Sequence, residues 1–187
     1  MRKNQSKKIL SVAAKLISKR GYNGVSLQQI ADKAKLHKST LLYYFKNKQS
    51  LLAQIIKDPF EEFYSNFQEL MLDEESAPEE KLRRMMDNHL SLLVEYKDNV
   101  NIFLNSLRNL ESKKRKMHLM KIKNYERDVE EIIVEMKKNG YFRGLDPKIV
   151  AFGILGMMNW ITRWYKKSGQ MEVKDISNIF YQMLTRP

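Results

Sequence analysis

The sequence contains no cysteine. That excludes disulfides, thiolate metal sites and a cysteine nucleophile. Proline is scarce at 4 and glycine at 7 in 187 residues, so few positions interrupt a helix. No segment holds the apolar–polar alternation of a half-buried strand, and no segment repeats. The longest mainly apolar run, Ile149 to Ile161, is shorter than the ~20 residues a bilayer requires. The start, Met-Arg-Lys-Asn-Gln-Ser-Lys-Lys, has no apolar signal-peptide core. A cytoplasmic protein without membrane contact is expected. His37, His89 and His118 lack metal-ligand spacing, no glycine-rich phosphate loop follows a strand, and no nucleophile motif occurs. The expectation is no enzyme, no catalytic residue, no metal and no cofactor.

What is present is helix-forming and cationic. Hydrophobic residues make up 43%, enough to fold, and the formal charge is +12. The charge is segregated. Residues 1–57 carry thirteen Lys or Arg against one acid, Asp32, whereas residues 58–187 carry twenty-one of each sign. A solubilising surface usually mixes both signs. A basic head on a neutral body points to a head that meets a polyanion.

Periodicity divides the chain into about nine helices. Ile9, Val12, Ala13, Leu16 and Ile17 form one helical face, ended by Gly21 and Gly24. Ser26-Leu-Gln-Gln29 reads as a capping box opening a short helix. Lys35-Leu36-His37 is a three-residue turn, and a third short helix follows to Tyr44. Asn47 can cap a fourth, with a kink or break expected near Pro59. Ser76-x-x-Glu79 reads as another capping box, opening a fifth helix. A sixth starts near Asp98, and a seventh runs from Ser112 to Lys138 and stops at Asn139-Gly140. Asp146-Pro147 opens an eighth, expected to reach Ser168-Gly169, and a ninth spans 173–184. The fold class is all-α: a helix-turn-helix head over residues 1–47 and a helical body over 48–187.

Helix, tight turn and short helix form the arrangement whose second helix enters the DNA major groove. The residue types suit it. Lys38 and Lys48 are compact cations for phosphate. Ser39 and Thr40 are short enough to let the helix approach base edges. Tyr43 and Tyr44 can give hydroxyls to phosphate. Leu41 and Phe45 supply the apolar side that fixes the helix.

Val25-Ser26-Leu27-Gln28-Gln29-Ile30-Ala31-Asp32-Lys33-Ala34, followed by Ser39-Thr40-Leu41-Leu42-Tyr43-Tyr44-Phe45-Lys46-Asn47-Lys48-Gln49-Ser50-Leu51-Leu52, resembles the DNA-binding domain of the tetracycline-repressor-like (TetR) family. About thirty residues match in register. Lys35 stands where that pattern has its turn glycine, His37 where it has Ser, Ser39 where it has Gly, and Leu42 where it has the first Tyr. These departures fall on the reading surface, so they alter which operator is read more than whether DNA is bound. The resemblance implies Ser26, Leu27, Lys35, His37, Lys38, Ser39, Thr40, Tyr43, Tyr44 and Lys48 as DNA-binding residues. It also implies a nine-helix subunit, a two-fold homodimer on a double-stranded operator, and a body that binds a small molecule.

The body is rich in aromatic residues and Met, which line adaptable cavities or fill cores. Gly153 and Gly156 allow a close helix neighbour. Asn159 and Arg163 lie one turn apart in an apolar stretch, where an ionised Arg needs an anionic partner. From Gly140 to Gly169 the chain is similar to TetR-family regulators of fatty-acid and steroid catabolism, which respond to acyl-CoA thioesters. That similarity implies an apolar channel between helices four to eight. Its expected lining is Phe63, Phe67, Met86, His89, Tyr96, Phe103, Met120 and Tyr125, with Asn159, Trp160, Arg163 and Trp164 near the polar group. For the dimer, helices eight and nine are expected to pair with their mates through Ile149, Phe152, Gly156, Ile176, Ile179, Phe180 and Met183, an interface with an apolar centre. The leading expectation is a ligand-responsive transcriptional repressor whose effector is an acyl-CoA or another small hydrophobic molecule. The alternative is a DNA-binding architectural protein without an effector.

Overall fold

The computed structural model describes residues 2–185. Among these the regular structure is helical, with no strand: α1 (Arg2–Arg20), α2 (Leu27–Ala34), α3 (Lys38–Tyr44), α4 (Lys48–Leu72), α5 (Pro78–Glu95), α6 (Lys97–Ser106), α7 (Ser112–Lys138), α8 (Pro147–Asn159), α9 (Ile161–Trp164) and α10 (Val173–Thr185). A 3-10 turn, Leu107–Asn109, follows α6. All nine expected helices are present, and a separate last turn, α9, follows the eighth.

Local chemistry sets most boundaries. Ser26 caps α2 reciprocally: its hydroxyl accepts the Gln29 amide at 3.1 Å, and the Gln29 side chain accepts the Ser26 amide at 2.8 Å. Asn47 and Ser50 do the same for α4, at 2.7 and 3.1 Å. Asp146 caps α8 by accepting the Ile149 amide, with Pro147 at the first helical position. α2 ends on Lys35, which adopts φ 57°, ψ 51°. That left-handed conformation is the one the pattern's glycine provides without strain. α7 ends at Gly140 with φ 92°.

Three boundaries depart from the sequence reading. Ser76 does not form the expected capping box with Glu79. Its amide and hydroxyl both turn back to Asp73, at 3.2 and 2.7 Å, and Arg84 joins the same carboxylate at 3.0 Å. The Ser76 hydroxyl first, then Arg84, holds the Asp73 carboxyl below its ordinary pKa. The eighth helix stops at Asn159 instead of reaching Ser168. There the Thr162 hydroxyl takes the Asn159 carbonyl at 2.9 Å, and the Arg163 amide takes the Trp160 carbonyl at i+3. The fourth helix does not break at Pro59; α4 continues through it. Proline removes the amide that would bond to the Ile55 carbonyl. The Asn99 side chain donates to that carbonyl at 2.8 Å.

The chain forms two compact units, Met1–Glu61 with Tyr96–His118, and Glu62–Glu95 with Leu119–Pro187. In the first, α1 packs on α2 and on α6, and α2 packs on α3. Its core includes Ile9, Ala13, Ile30, Ala34, Leu41, Leu51, Leu52 and Ile56, all with 0% exposure. Each large side chain so buried contributes about 1.5–3 kcal/mol. α6 therefore belongs to the compact unit that carries the helix-turn-helix. In the second unit α5 lies against α10, α8 and α9. Leu82, Met85, Met86, Leu90, Val129, Ile133, Met136 and Met158 form its core.

Candidate nucleic-acid interface and body cluster

The capped turn presents one short helix. His37 opens α3 in an extended conformation and makes no side-chain capping bond. His37, Lys38, Ser39 and Tyr43 are exposed, and Thr40 and Tyr44 are half-buried. Leu41 is fully buried and Phe45 nearly so, which locks the opposite side of α3 into the unit. The Tyr43 and Tyr44 rings meet edge to face at 5.4 Å between centroids. Lys35 is exposed at the turn. Five of the ten sequence-expected residues, Lys35, His37, Lys38, Ser39 and Tyr43, are thus exposed on α3 or in the turn before it, and they supply the cations, imidazole and hydroxyls that base-edge and phosphate contacts require.

The remaining expected residues behave differently. Ser26 is exposed but gives its oxygen to the cap, and Leu27 is half-buried. Lys48 turns back to the end of α1. Its ammonium donates to the Tyr22 carbonyl and sits 4.2 Å from the Tyr22 ring centroid. Burial pulls its pKa down and raises that of Tyr22. This contact joins residues 26 positions apart, so no local pattern announces it.

In the body, Phe63, Phe67, His89, Tyr125 and Asn159 come together within the second unit. The Tyr125 ring lies edge-on to Phe67 and Phe63, at 4.6 and 5.1 Å between centroids. Its hydroxyl donates to His89 Nδ1 at 2.7 Å, while His89 Nε2–H donates to Asn159 Oδ1 at 3.2 Å. Burial drives the His89 pKa down to about 4, against the opposing bond to Asn159. The imidazole is therefore neutral, and each nitrogen has one partner. Burial also raises the Tyr125 hydroxyl well above its ordinary value and that of Tyr64 to about 12, where Glu126 adds a smaller upward push. Sequence reading missed Gln68, which donates to the buried Asp128 at 3.1 Å. It also missed Asn99, although a proline four residues after Ile55 signals a carbonyl in need of a donor.

The other expected lining residues have these surroundings. Met86 is fully buried in the second unit. Phe103 belongs to the first unit, buried against Phe60 at 4.3 Å and near His118 at 6.0 Å, and Tyr96 is half-buried there. Met120, Trp160 and Trp164 are 59%, 65% and 46% exposed, and Arg163 is exposed as well. Two open clefts mark the second unit. One of about 680 Å³ is lined by residues including Ser91, Glu95, Tyr165, Lys167 and Glu172. Another of about 420 Å³ is lined by residues including Met71, Lys81, Glu131 and Glu135. None of the twelve expected ligand residues lines either. Of the expected dimer residues, Ile149, Phe152, Gly156, Ile179 and Met183 are exposed, Phe180 is half-buried, and Ile176 is buried in its own unit. No helix among the described residues is long and apolar enough to cross a membrane. No group of His, Asp and Glu among them could hold a metal ion.

Comparison with known proteins gives a consistent result. Residues 9–55 match the profile of bacterial regulatory proteins of the tetR family, and residues 75–187 match that of the tetracyclin repressor-like C-terminal domain. The chain is 26% identical over 180 residues to the fatty acid metabolism regulator protein of Bacillus subtilis (strain 168), covering 94% of this chain and 91% of the relative. It is 22% identical over 181 residues to the HTH-type transcriptional repressor KstR2 of Rhodococcus jostii (strain RHA1), covering 94% and 87%. Among solved structures it is similar to AibR in complex with isovaleryl coenzyme A and operator DNA, with 30% identity, a TM-score of 0.82 and 98% and 99% of the two chains covered. These relatives are regulators, and no catalytic family is indicated.

Proposed function

The chain belongs to the tetR family of bacterial regulatory proteins, and on that premise we propose that it is a repressor that binds a palindromic operator as a homodimer and responds to an acyl-CoA or a similar hydrophobic effector. The observation that carries the DNA reading is the outward face of α3, where His37, Lys38, Ser39 and Tyr43 stand exposed on a helix whose other side is buried. Their roles follow from their chemistry: Lys35 and Lys38 on phosphate, Ser39, Thr40 and His37 on base edges, and the Tyr43 and Tyr44 hydroxyls on the backbone. The excess cations in the first 57 residues draw the head to DNA over a longer range.

Two heads must sit about 34–36 Å apart to enter successive major grooves on one face of a duplex. An effector that prefers a different arrangement of the dimer lowers operator affinity by its differential affinity for the two states. AibR, crystallised with isovaleryl coenzyme A, and the fatty acid regulator support an acyl thioester as the effector class. The aromatic cluster supplies an apolar wall for an acyl chain, and Asn159 carries an amide group at its exposed edge. The exposed apolar residues of α8 and α10 form the dimer face. His89, with both ring nitrogens hydrogen-bonded inside the cluster, serves there as a structural link, and the proposed function involves no catalysis and no metal and is exercised in the cytoplasm beside the DNA.

The test is fluorescence anisotropy on a duplex selected by the protein from random DNA, titrated with acyl-CoAs of increasing chain length. Loss of the complex with one of them is the expected result. The alternative is the effector-free architectural protein. An operator complex indifferent to every acyl-CoA would select it.

A further inference from the structure

A proline inside a helix removes one amide from the ladder, and in α4 the amide missing at Pro59 is the one directed at the Ile55 carbonyl. A part-buried carbonyl left open is destabilised. Here it is not open. Asn99, on α6, donates its side-chain amide to Ile55 O at 2.8 Å, across 44 positions of sequence. The contact continues beyond the hydrogen bond: Phe60, next to the proline, meets Phe103 of α6 at 4.3 Å between ring centroids. α6 also packs against α1. The unit carrying the reading helix is therefore held by α6 through both of its long helices. On the α4 side, one hold is a single directional bond at the position where α4 has a gap in its own ladder.

We propose that Asn99 is a positioning residue for operator binding. By giving its amide to the carbonyl that Pro59 frees, it fixes α4 on α6 and so fixes the pose of α2 and α3, which pack on the same core. The inference rests on the DNA-binding reading above and adds to it the link through which a movement of α6 would reach the head. Proline suits that purpose. A residue with an amide at position 59 would satisfy Ile55 from within α4, and the helix would then be indifferent to Asn99.

This dependence makes the proposal testable as a double-mutant cycle. Asn99→Asp keeps the size of the side chain, cannot donate when ionised, and sets a carboxylate against the carbonyl. Pro59→Ala introduces an amide that bonds Ile55 O within the helix. Anisotropy on the selected duplex is expected to show about tenfold weaker binding for Asn99→Asp, and recovery to within about threefold of wild type when Pro59→Ala is added. Asn99→Ala, which loses the donor without adding charge, is expected to weaken binding about threefold to fivefold and covers the case of an unfolded Asn99→Asp. Melting temperatures are read in parallel. A purely structural Asn99 lowers melting while the folded protein keeps wild-type operator affinity, and that result overturns the proposal. A deficit undiminished by Pro59→Ala overturns it too, because the Ile55 carbonyl would not be the route. Wild-type protein that selects no duplex rejects the DNA-binding reading itself, whereas wild-type binding with both Asn99 variants unchanged rejects only this assignment.

Discussion

At the scale of the residue, two side chains sit in states they would avoid alone. Lys35 holds a left-handed backbone at the turn before α3, with φ 57°. Such a conformation costs a non-glycine residue about 1–2 kcal/mol, partly offset by the chain entropy a glycine loses. Lys35→Gly is therefore expected to raise the stability of the protein by about 0.5–1 kcal/mol in urea unfolding, and a loss of stability would contradict the strain. His89 is the second case. Its pKa falls from 6.5 to about 4 on folding. The depressed group stays neutral in the fold while the unfolded chain takes up a proton below about 6.5. Its contribution is complete above that pH and disappears progressively as pH falls towards 4. The span corresponds to about 3 kcal/mol. Urea unfolding of wild type and His89→Leu between pH 7.5 and 4 should converge as the wild type loses this term, and parallel curves would contradict the assignment.

At the scale of the element, caps decide more than propensity does. Ser26, Asn47 and Asp146 were legible because each needs only residues within three positions of itself. Ser76 was not, because Asp73 competes for the same hydroxyl and brings Arg84 with it. The end of α8 escaped for a similar reason, since a threonine hydroxyl takes a carbonyl that periodicity assigns to the helix. Contacts over 26 and 44 positions, Lys48 to Tyr22 and Asn99 to Ile55, leave no local trace. The α2 cap matters most for the interface because α2 supports α3. Ser26→Ala is expected to cost about 1 kcal/mol. Thermal melting should register it, and hydrogen exchange should show faster opening of α2 than of α5. Equal protection of the two helices before and after the substitution would contradict this account.

At the scale of the whole molecule, the segregation of charge and the sided burial of α8 and α10 point to a paired regulator. The first was legible in the sequence as thirteen cations against one acid in residues 1–57. The second was legible in part: Ile149, Phe152, Ile179 and Met183 do face outward, whereas Ile176 is spent on its own core. Of the twelve expected ligand residues, Phe63, Phe67, His89, Tyr125 and Asn159 meet in one cluster of the second unit, an arrangement that aromatic density in the sequence does not by itself specify. A charge placed in the apolar face should separate the subunits. Ile149→Glu with Met183→Glu is expected to shift sedimentation from dimer to monomer at micromolar concentration and to abolish tight operator binding, while a dimer unaffected by both would place the interface elsewhere. The most direct test of the account is the salt dependence of DNA binding by wild type and by Lys35→Gln with Lys38→Gln, measured on the selected duplex from 50 to 200 mM salt. Wild type is expected to show a steep dependence of log affinity on log salt, and the double variant a slope shallower by about two, as the loss of two phosphate contacts requires. Superimposable lines of equal affinity for the two proteins would contradict it.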